Sequence, residues 1–222
     1  DVQQIASGLF EVYGLTLGLR IGKIYWVVRN EASLQYEIQR ASPNGADRES
    51  VITNLGFPSP PVLDERGSRM YWVDGVQMYR ANLDGTGRQA IVSGGVSSDT
   101  AIVIDDERDK LYWSGWAFGG IRRANLDGSS VEDVVTGLDS PESLVLDRER
   151  GKMYWRAGCG ATWFCHALQR ANLDGTAVEI VAATVDSPEG ITVPPEPPSI
   201  PTVSDAGVFV LFALLVAAGA GV

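Results

Sequence analysis

The chain has 222 residues, and its 18 basic and 28 acidic side chains give a formal net charge of −10 at pH 7 and a sequence pI near 4.6. This charge argues against sequence-independent binding to nucleic acid or to anionic lipid, because both need a basic protein surface. One histidine and two cysteines leave too few ligands for a transition-metal site. No metal or other cofactor is therefore expected.

One pattern recurs four times along the chain. Its centre is a Tyr-Trp pair, and consecutive pairs lie 46, 41 and 42 residues apart. Each pair is followed by Arg-Ala-Asn-Leu-Asp-Gly, at 80–85, 123–128 and 170–175, or by the variant Arg-Ala-Ser-Pro-Asn-Gly at 40–45. A period in the forties indicates stacked supersecondary units, often the blades of a propeller. The pairs are Tyr25-Trp26, Tyr71-Trp72, Tyr112-Trp113 and Tyr154-Trp155.

Each copy of the pattern predicts four short strands. The apolar run 143–146 suits a first strand, and 152–155 follows a charged turn as the second. Asn-Leu-Asp-Gly is typical of a hairpin turn, and the half-polar run 131–135 suits an outer fourth strand. No stretch before residue 200 has the periodicity of a helix. The predicted fold class is therefore all-β.

The Tyr-Trp pairs are predicted to be core rather than ligand contacts. Adjacent residues of a strand point to opposite faces of the sheet, so each Tyr should face one neighbouring blade and each Trp the other. Large aromatic rings fill the space between twisted sheets and bury roughly 150–250 Å² each.

Over residues 2–193 the chain resembles the YWTD, or class B, repeats of the low-density lipoprotein receptor family, which form six-bladed β-propellers. The Thr-Asp of that motif is replaced in three copies, and only Val73-Asp74 keeps the Asp. Segments 2–9 and 190–193 align with a fourth and a first strand. We therefore expect four whole blades between two part-blades, as the C-terminal part of a longer protein whose ring needs roughly 60 more residues upstream.

The C-terminal tail differs from the repeats. Residues 194–199 form a Pro-rich linker, and the 17 residues 206–222 are all apolar or Gly, nearly enough for a helix that crosses the membrane. From residue 200 the tail resembles the bacterial IPTL-CTERM sorting signals, which implies export, membrane anchoring and processing at the cell surface. The expected domains are thus the propeller at 1–193, the linker at 194–199 and the sorting signal at 200–222.

Two smaller features allow alternatives. Cys159 and Cys165 lie in one hairpin loop, and in an exported protein they are expected to form a disulfide. Zinc or thiol chemistry is the alternative, but it needs further ligands or a base, and His166 is the one histidine of the chain. The acidic run 105–109 lies in a first-to-second-strand turn, where weak calcium binding is an alternative to simple solvation.

The binding face is predicted at one end of the blades. Second-to-third-strand and fourth-to-first-strand connections emerge on the same side, and they hold the least repetitive residues. Exposed aromatic and charged residues on variable loops suit contact with an extracellular protein or a glycan; the alternative is that the aromatic side chains fold back onto their own blades. The candidate residues are Trp116, Phe118, Trp163, Phe164, Glu142 and Glu189, with Phe10, Glu11 and Phe57 nearby.

Two other functional classes compete with a binding module. Propeller hydrolases and lactonases collect carboxylates and amides at the central axis, whereas the first strands here begin at the small or inert residues Gly14, Pro60, Ala101, Ser143 and Gly190. Glu142 and Glu189 occupy equivalent Ser-Pro-Glu turns, so the repeat explains their presence without catalysis. A structural surface or matrix protein without a discrete ligand is the other alternative. We expect a binding module and no enzyme.

Overall fold

A computed structural model describes residues 5–7, 9–158 and 166–185, all of which belong to the first of two units, residues 1–191 and 192–222. The described residues form four four-stranded antiparallel sheets, each built from consecutive strands. This architecture confirms the prediction of four whole blades. The strands of blade 1 are β1 (Phe10–Gly18), β2 (Lys23–Arg29), β3 (Tyr36–Ala41) and β4 (Glu49–Leu55).

The other three blades repeat this arrangement. Blade 2 consists of β5 (Val62–Asp64), β6 (Arg69–Asp74), β7 (Gln77–Asn82) and β8 (Gln89–Ser93). Blade 3 consists of β9 (Ile102–Asp105), β10 (Lys110–Gly115), β11 (Gly120–Asn125) and β12 (Glu132–Thr136), with a 3-10 turn at Trp116–Phe118. Blade 4 consists of β13 (Glu142–Asp147), β14 (Lys152–Gly158), β15 (His166–Asn172) and β16 (Glu179–Val185).

The cores lie between consecutive blades. Between blades 1 and 2, Tyr25 and Val27 of one blade meet Met70 and Trp72 of the next. The same arrangement recurs at the two following junctions, where Trp113 and Trp155 receive the tyrosines of the preceding blades. Tyr and Trp therefore face opposite neighbours, as the strand pleat dictates. All eight residues of the Tyr-Trp pairs are buried.

A polar clamp accompanies each apolar junction. Arg40, Arg80 and Arg123 each donate to the leucine carbonyl of the next blade's Asn-Leu-Asp-Gly turn, at 2.9, 3.3 and 3.0 Å. At the first and third junctions the hydroxyls of Tyr25 and Tyr112 donate to the same carbonyls, at 3.0 and 3.2 Å. A charged donor strengthens such a bond. The Arg of the repeat thus joins neighbouring blades.

The Gly of each Asn-Leu-Asp-Gly turn is required by the contact with the preceding blade. Gly85, Gly128 and Gly175 have φ values of 84–86°, which favour glycine. A Cβ on Gly128 would lie 2.3 Å from the carbonyl oxygen of Ile91, and Gly85 and Gly175 meet Val51 and Val134 in the same way. The turn can therefore approach the neighbouring fourth strand only without a side chain.

The segment before blade 1 keeps this contact but is not a strand where it is described. A Cβ on Gly45 would lie 2.1 Å from the carbonyl oxygen of Ile5, so Ile5 takes the place that Val51 has for the next blade. Ile5–Ser7 and Leu9, however, have no strand assignment, which corrects the predicted fourth strand at 2–9 for these residues. A fourth strand pairs with a third, and no described strand pairs with this segment.

Several predicted features lie outside the described residues. These are Cys159, Cys165, Trp163, Phe164, Glu189, the part-blade at 190–193, the Pro-rich linker and the apolar tail. In the described part of the chain, no helix has the length and apolar character needed to cross a membrane.

Candidate functional site

The two ends of the blades can be compared directly. The rim consists of the connections 30–35, 75–76 and 116–119 between second and third strands, and 56–61, 94–101 and 137–141 between blades. The opposite end carries the turns between first and second strands and the Asn-Leu-Asp-Gly turns. Because neighbouring strands run in opposite directions, the connections of each set lie at the same end of the sheets.

Trp116 is presented to solvent on a fixed turn. Its side chain is 63% exposed at the start of the 3-10 turn. Two residues later Phe118 packs against the core between blades 2 and 3, beneath the guanidinium of Arg122 at 4.1 Å. Gly115 leaves room for this ring, because a Cβ there would lie 2.1 Å from it. The two predicted rim aromatics therefore differ: Phe118 folds back onto its blade and Trp116 does not.

Other rim connections also expose apolar side chains. Leu34 is 55% exposed, Phe57 53% and Val76 67%. Exposed apolar residues that stand singly need no explanation, whereas a contiguous exposed patch marks a contact surface. Blades 1, 2 and 3 thus each present at least one such residue at the same end.

Phe57 belongs to an aromatic cluster, which we define as Tyr13, Tyr36 and Phe57. The ring centroids lie 5.6 Å apart for Tyr13 and Tyr36, 5.7 Å for Tyr36 and Phe57, and 6.0 Å for Tyr13 and Phe57. The Tyr13 hydroxyl donates to the carbonyl of Pro58 at 2.8 Å. Burial, followed by the nearby Tyr36, raises the pKa of Tyr13, so its hydroxyl stays protonated and remains a donor.

The backbone beneath Phe57 is fixed by the one Asp that the repeat motif retains. The carboxylate of Asp74 accepts from the N–H groups of Gly56 at 3.0 Å and Phe57 at 2.9 Å. Arg88 lies 3.8 Å from the same side chain. Asp74 therefore holds the blade 1 to blade 2 connection in place.

An ion pair borders the aromatic cluster. Arg29 donates from Nη1 to Glu11 Oε2 at 3.1 Å, and its guanidinium lies 5.8 Å from the centroid of Tyr36. The Tyr36 hydroxyl lies within 3.4 Å of the same carboxylate oxygen. The side chains of Glu11 and Arg29 are 47% and 29% exposed, so both are partly accessible to solvent.

Glu142 is also engaged with an arginine. Its carboxylate, predicted to lie on the rim, forms an ion pair with Arg156 of the same blade. Glu142 therefore sits on the rim as half of an ion pair.

The acidic side chains of the described residues are the remaining candidates for a metal site. The described residues contain no group of three His, Cys, Asp or Glu side chains that could hold a metal ion. In the acidic run 105–109, Asp105 contacts Arg108 at 3.0 Å and Asp106 contacts Arg66 at 3.2 Å. Weak calcium binding at this turn stays the alternative to simple solvation.

Sequence reasoning did not single out Tyr13 or Tyr36. Tyr13 occupies the position that holds Ser59, Thr100 and Glu142 in the other copies. Tyr36 likewise occupies the position that holds Val76, Gly119 and His166 in the other copies. A comparison of the copies position by position, with attention to new aromatic residues, would have identified both.

The chain is similar to receptor proteins, although no family model matches it. The vitellogenin receptor Yl of Drosophila melanogaster is 34% identical over 101 residues, which cover 43% of this chain and 5% of the receptor. Low-density lipoprotein receptor-related protein 5 of Mus musculus is 29% identical over 115 residues, 50% of this chain and 7% of that protein.

A fungal relative gives a longer match. Low-density lipoprotein receptor-related protein 1 of Pyricularia oryzae is 31% identical over 172 residues, 64% of this chain and 55% of that protein. The chain thus matches between 5% and 55% of the length of these three relatives.

A solved structure supports the fold. A chain of a nidogen/laminin complex superposes with a TM-score of 0.65 at 23% identity, covering 79% of this chain and 66% of the matched chain. TolB of Acinetobacter baumannii gives the same TM-score at 14% identity, over 81% of this chain and 45% of TolB. The fold is a β-propeller, and its repeats are similar to those of low-density lipoprotein receptor-related proteins.

Proposed function

We propose that this chain belongs to an exported, cell-surface β-propeller that binds an extracellular protein noncovalently through its rim. The observation that carries the proposal is Trp116, which is 63% exposed while Phe118 anchors its turn. Tryptophan is among the residues that most often dominate the free energy of a protein interface. A fixed turn lowers the entropy lost when such a side chain is buried by a partner.

The charge distribution at the rim supports a protein partner. Glu11 and Glu142 are paired with Arg29 and Arg156, so part of the rim is charged yet locally compensated. The three lysines of the chain all begin second strands, at the opposite end. A mixture of exposed apolar residues and compensated charges is typical of non-obligate protein interfaces.

The relatives support the same class of function. Two of the three described above are named as receptor-related proteins and one as a vitellogenin receptor. A chain of a nidogen/laminin complex, at 23% identity, shares the fold. Propeller structures of enzymes, among them an oligogalacturonate lyase at 10% identity, share the fold alone.

Export and anchoring rest on the tail. Its IPTL-CTERM-like start, at residue 200, and the apolar run 206–222 support surface sorting with the propeller outside the cell. Deletion of 200–222 should release the protein into the medium, because that run is the one candidate anchor in the sequence. Fractionation of cells and medium measures this, and retention at the surface after the deletion would contradict the tail's role.

The oxidising compartment offers a second check on export. In exported protein Cys159 and Cys165 should be joined, and mass spectrometry under non-reducing conditions should find the two-hydrogen mass loss within the linked peptide. Two free thiols in exported protein would contradict the disulfide.

The rim function is tested by capture with matched variants. The immobilised chain should retain a protein from the extracellular fraction of its source organism, and Trp116→Ala should weaken the affinity of the purified partner by about tenfold or more. Leu19→Ala is the control, because Leu19 is 81% exposed but lies at the opposite end. Equal affinity of both variants would overturn the rim assignment, and absence of any partner would favour a structural surface protein.

A further inference from the structure

We propose that the aromatic cluster of Tyr13, Tyr36 and Phe57, together with the ion pair of Glu11 and Arg29, is a separate binding site for the sugar ring of a neutral glycan. The proposal rests on the proposed function only in placing noncovalent binding at the rim. It uses none of the residues around Trp116, so the two can fail independently.

Phe57 provides a platform for a sugar ring. Tyr13 lies alongside it at an interplanar angle of 32°, and Tyr36 meets it at 82°. These two contacts support the ring from within the protein, yet 53% of Phe57 stays exposed. The C–H groups on one face of a pyranose pack against the electron-rich face of an aromatic ring. The exposed part of Phe57 is available for such a contact.

Polar groups border the cluster within reach of sugar hydroxyls. The guanidinium of Arg29 lies 5.8 Å from the centroid of the Tyr36 ring, and the Glu11 carboxylate lies 3.4 Å from the Tyr36 hydroxyl. A sugar hydroxyl both donates and accepts. The carboxylate of Glu11 accepts, the guanidinium of Arg29 donates, and the Tyr36 hydroxyl does either. Neighbouring hydroxyls of one sugar therefore find complementary partners on this side of the platform.

The ion pair favours a neutral, hydroxyl-rich ligand over an apolar or charged one. Glu11 and Arg29 compensate each other at 3.1 Å, so the site attracts neither charge strongly. An apolar side chain laid over the pair would remove water from two charges without replacing its hydrogen bonds, which costs free energy. Hydroxyls replace those bonds. The chemistry of the border thus selects a sugar rather than an apolar peptide segment.

The platform is held ready for binding. Asp74 fixes the backbone N–H groups of Gly56 and Phe57 at 3.0 and 2.9 Å, and Tyr13 is tied to Pro58 at 2.8 Å. A site that is ordered before the ligand arrives loses less entropy on binding. The exposed surface of Phe57 makes no contribution to the packing of the fold. A ligand would cover this surface.

The test is a titration of the full chain with soluble hexaoses of neutral hexoses and of N-acetylglucosamine, followed by calorimetry or NMR. At least one should bind, and Phe57→Ala should weaken it by about tenfold or more, while Phe57→Tyr keeps the platform and retains binding. Glu11→Gln should weaken binding by about threefold to tenfold, through loss of a charged acceptor. Leu19→Ala is the control, since Leu19 is 81% exposed and lies at the opposite end, outside the cluster.

Three results would overturn the proposal. They are a panel without any binding hexaose, binding that Phe57→Ala leaves unchanged, and occupation of the cluster by a peptide with no binding of sugar. If Phe57→Ala does not fold, Phe57→Tyr and Glu11→Gln still decide the matter. Loss of protein capture in Trp116→Ala with hexaose binding intact would show that the two sites are distinct.

Discussion

The two ends of the propeller blades obey different constraints. At the opposite end, the turns at 82–86, 125–129 and 172–176 repeat the same hydrogen bonds, including an Asp that accepts twice from the Thr or Ser two residues later. At the rim, equivalent positions carry different residues, such as Tyr13 and Glu142. Turn geometry and blade contact require the same residues in every copy of the first set, whereas the residues of the second set make different contacts in different blades.

The largest expected difference in the free energy of unfolding is between alanine variants of two tryptophans that lie three residues apart. Trp113 is 1% exposed in the core between blades 2 and 3, and Trp116 is 63% exposed on the rim. Trp113→Ala should lower the free energy of unfolding by about 3–5 kcal/mol. Trp116→Ala should change it by less than about 0.5 kcal/mol. Denaturant unfolding of both variants measures the contrast, and similar losses would mean that Trp116 also belongs to the core.

Substitution of two glycines distinguishes the cost of backbone strain from the cost of a steric clash between blades. Gly128 at the opposite end and Gly137 at the rim have φ values of 84° and 74°. A Cβ meets the Ile91 carbonyl oxygen at 2.3 Å in the first case and nothing within 4 Å in the second. Both Ala variants carry a strain of roughly 1 kcal/mol, and Gly128→Ala should lose about 2 kcal/mol more because its turn must move away. Equal melting temperatures for the two variants would show that the blade contact is dispensable.

A smaller, pH-dependent effect should come from the opposite end. Hydrogen bonds from Thr86, Ser129 and Thr176 lower the pKa values of Asp84, Asp127 and Asp174. A lowered folded-state pKa means that the unfolded chain takes up the protons first as the pH falls. The contribution to stability is thus present above about pH 4 and is lost below it.

Asp127→Asn tests this titration. The amide keeps an oxygen acceptor for Ser129 but does not titrate, so the stability of the variant should fall less steeply below about pH 4 than that of the original chain. Stability curves from urea unfolding at several pH values provide the measurement. Parallel curves for the two proteins would place the acid sensitivity elsewhere.

Much of the fold follows from the repeat. The Tyr-Trp spacing predicts four blades. The alignment of 2–9 with 131–138 makes Ile5 equivalent to Val134, and the carbonyl group of each residue lies close to a turn glycine. The predicted strand at 2–9 is wrong where it is described, because strand assignment depends on a neighbouring third strand rather than on the residues themselves. The residue pattern predicts the contact between Ile5 and the turn glycine, but it does not predict whether the segment pairs with another strand.

Less of the rim than of the blades could be predicted from the sequence. Its position follows from hairpin geometry, but Trp116 and Phe118 look alike in the sequence and take opposite roles in the structure. The space beside Gly115 and the guanidinium of Arg122 decide which ring folds back. Likewise, Tyr13 and Phe57 lie 44 residues apart and meet only because consecutive blades bring their ends together. Such contacts depend on tertiary packing.

Hydrogen exchange of the chain with and without its captured protein partner tests the central claim most directly. We expect slower exchange at 75–76 and 116–119 in the complex, with unchanged exchange in the turns 82–86, 125–129 and 172–176 of the opposite end. Protection confined to those turns, with the Trp116 connection exchanging as in the free chain, would contradict a binding function of the rim.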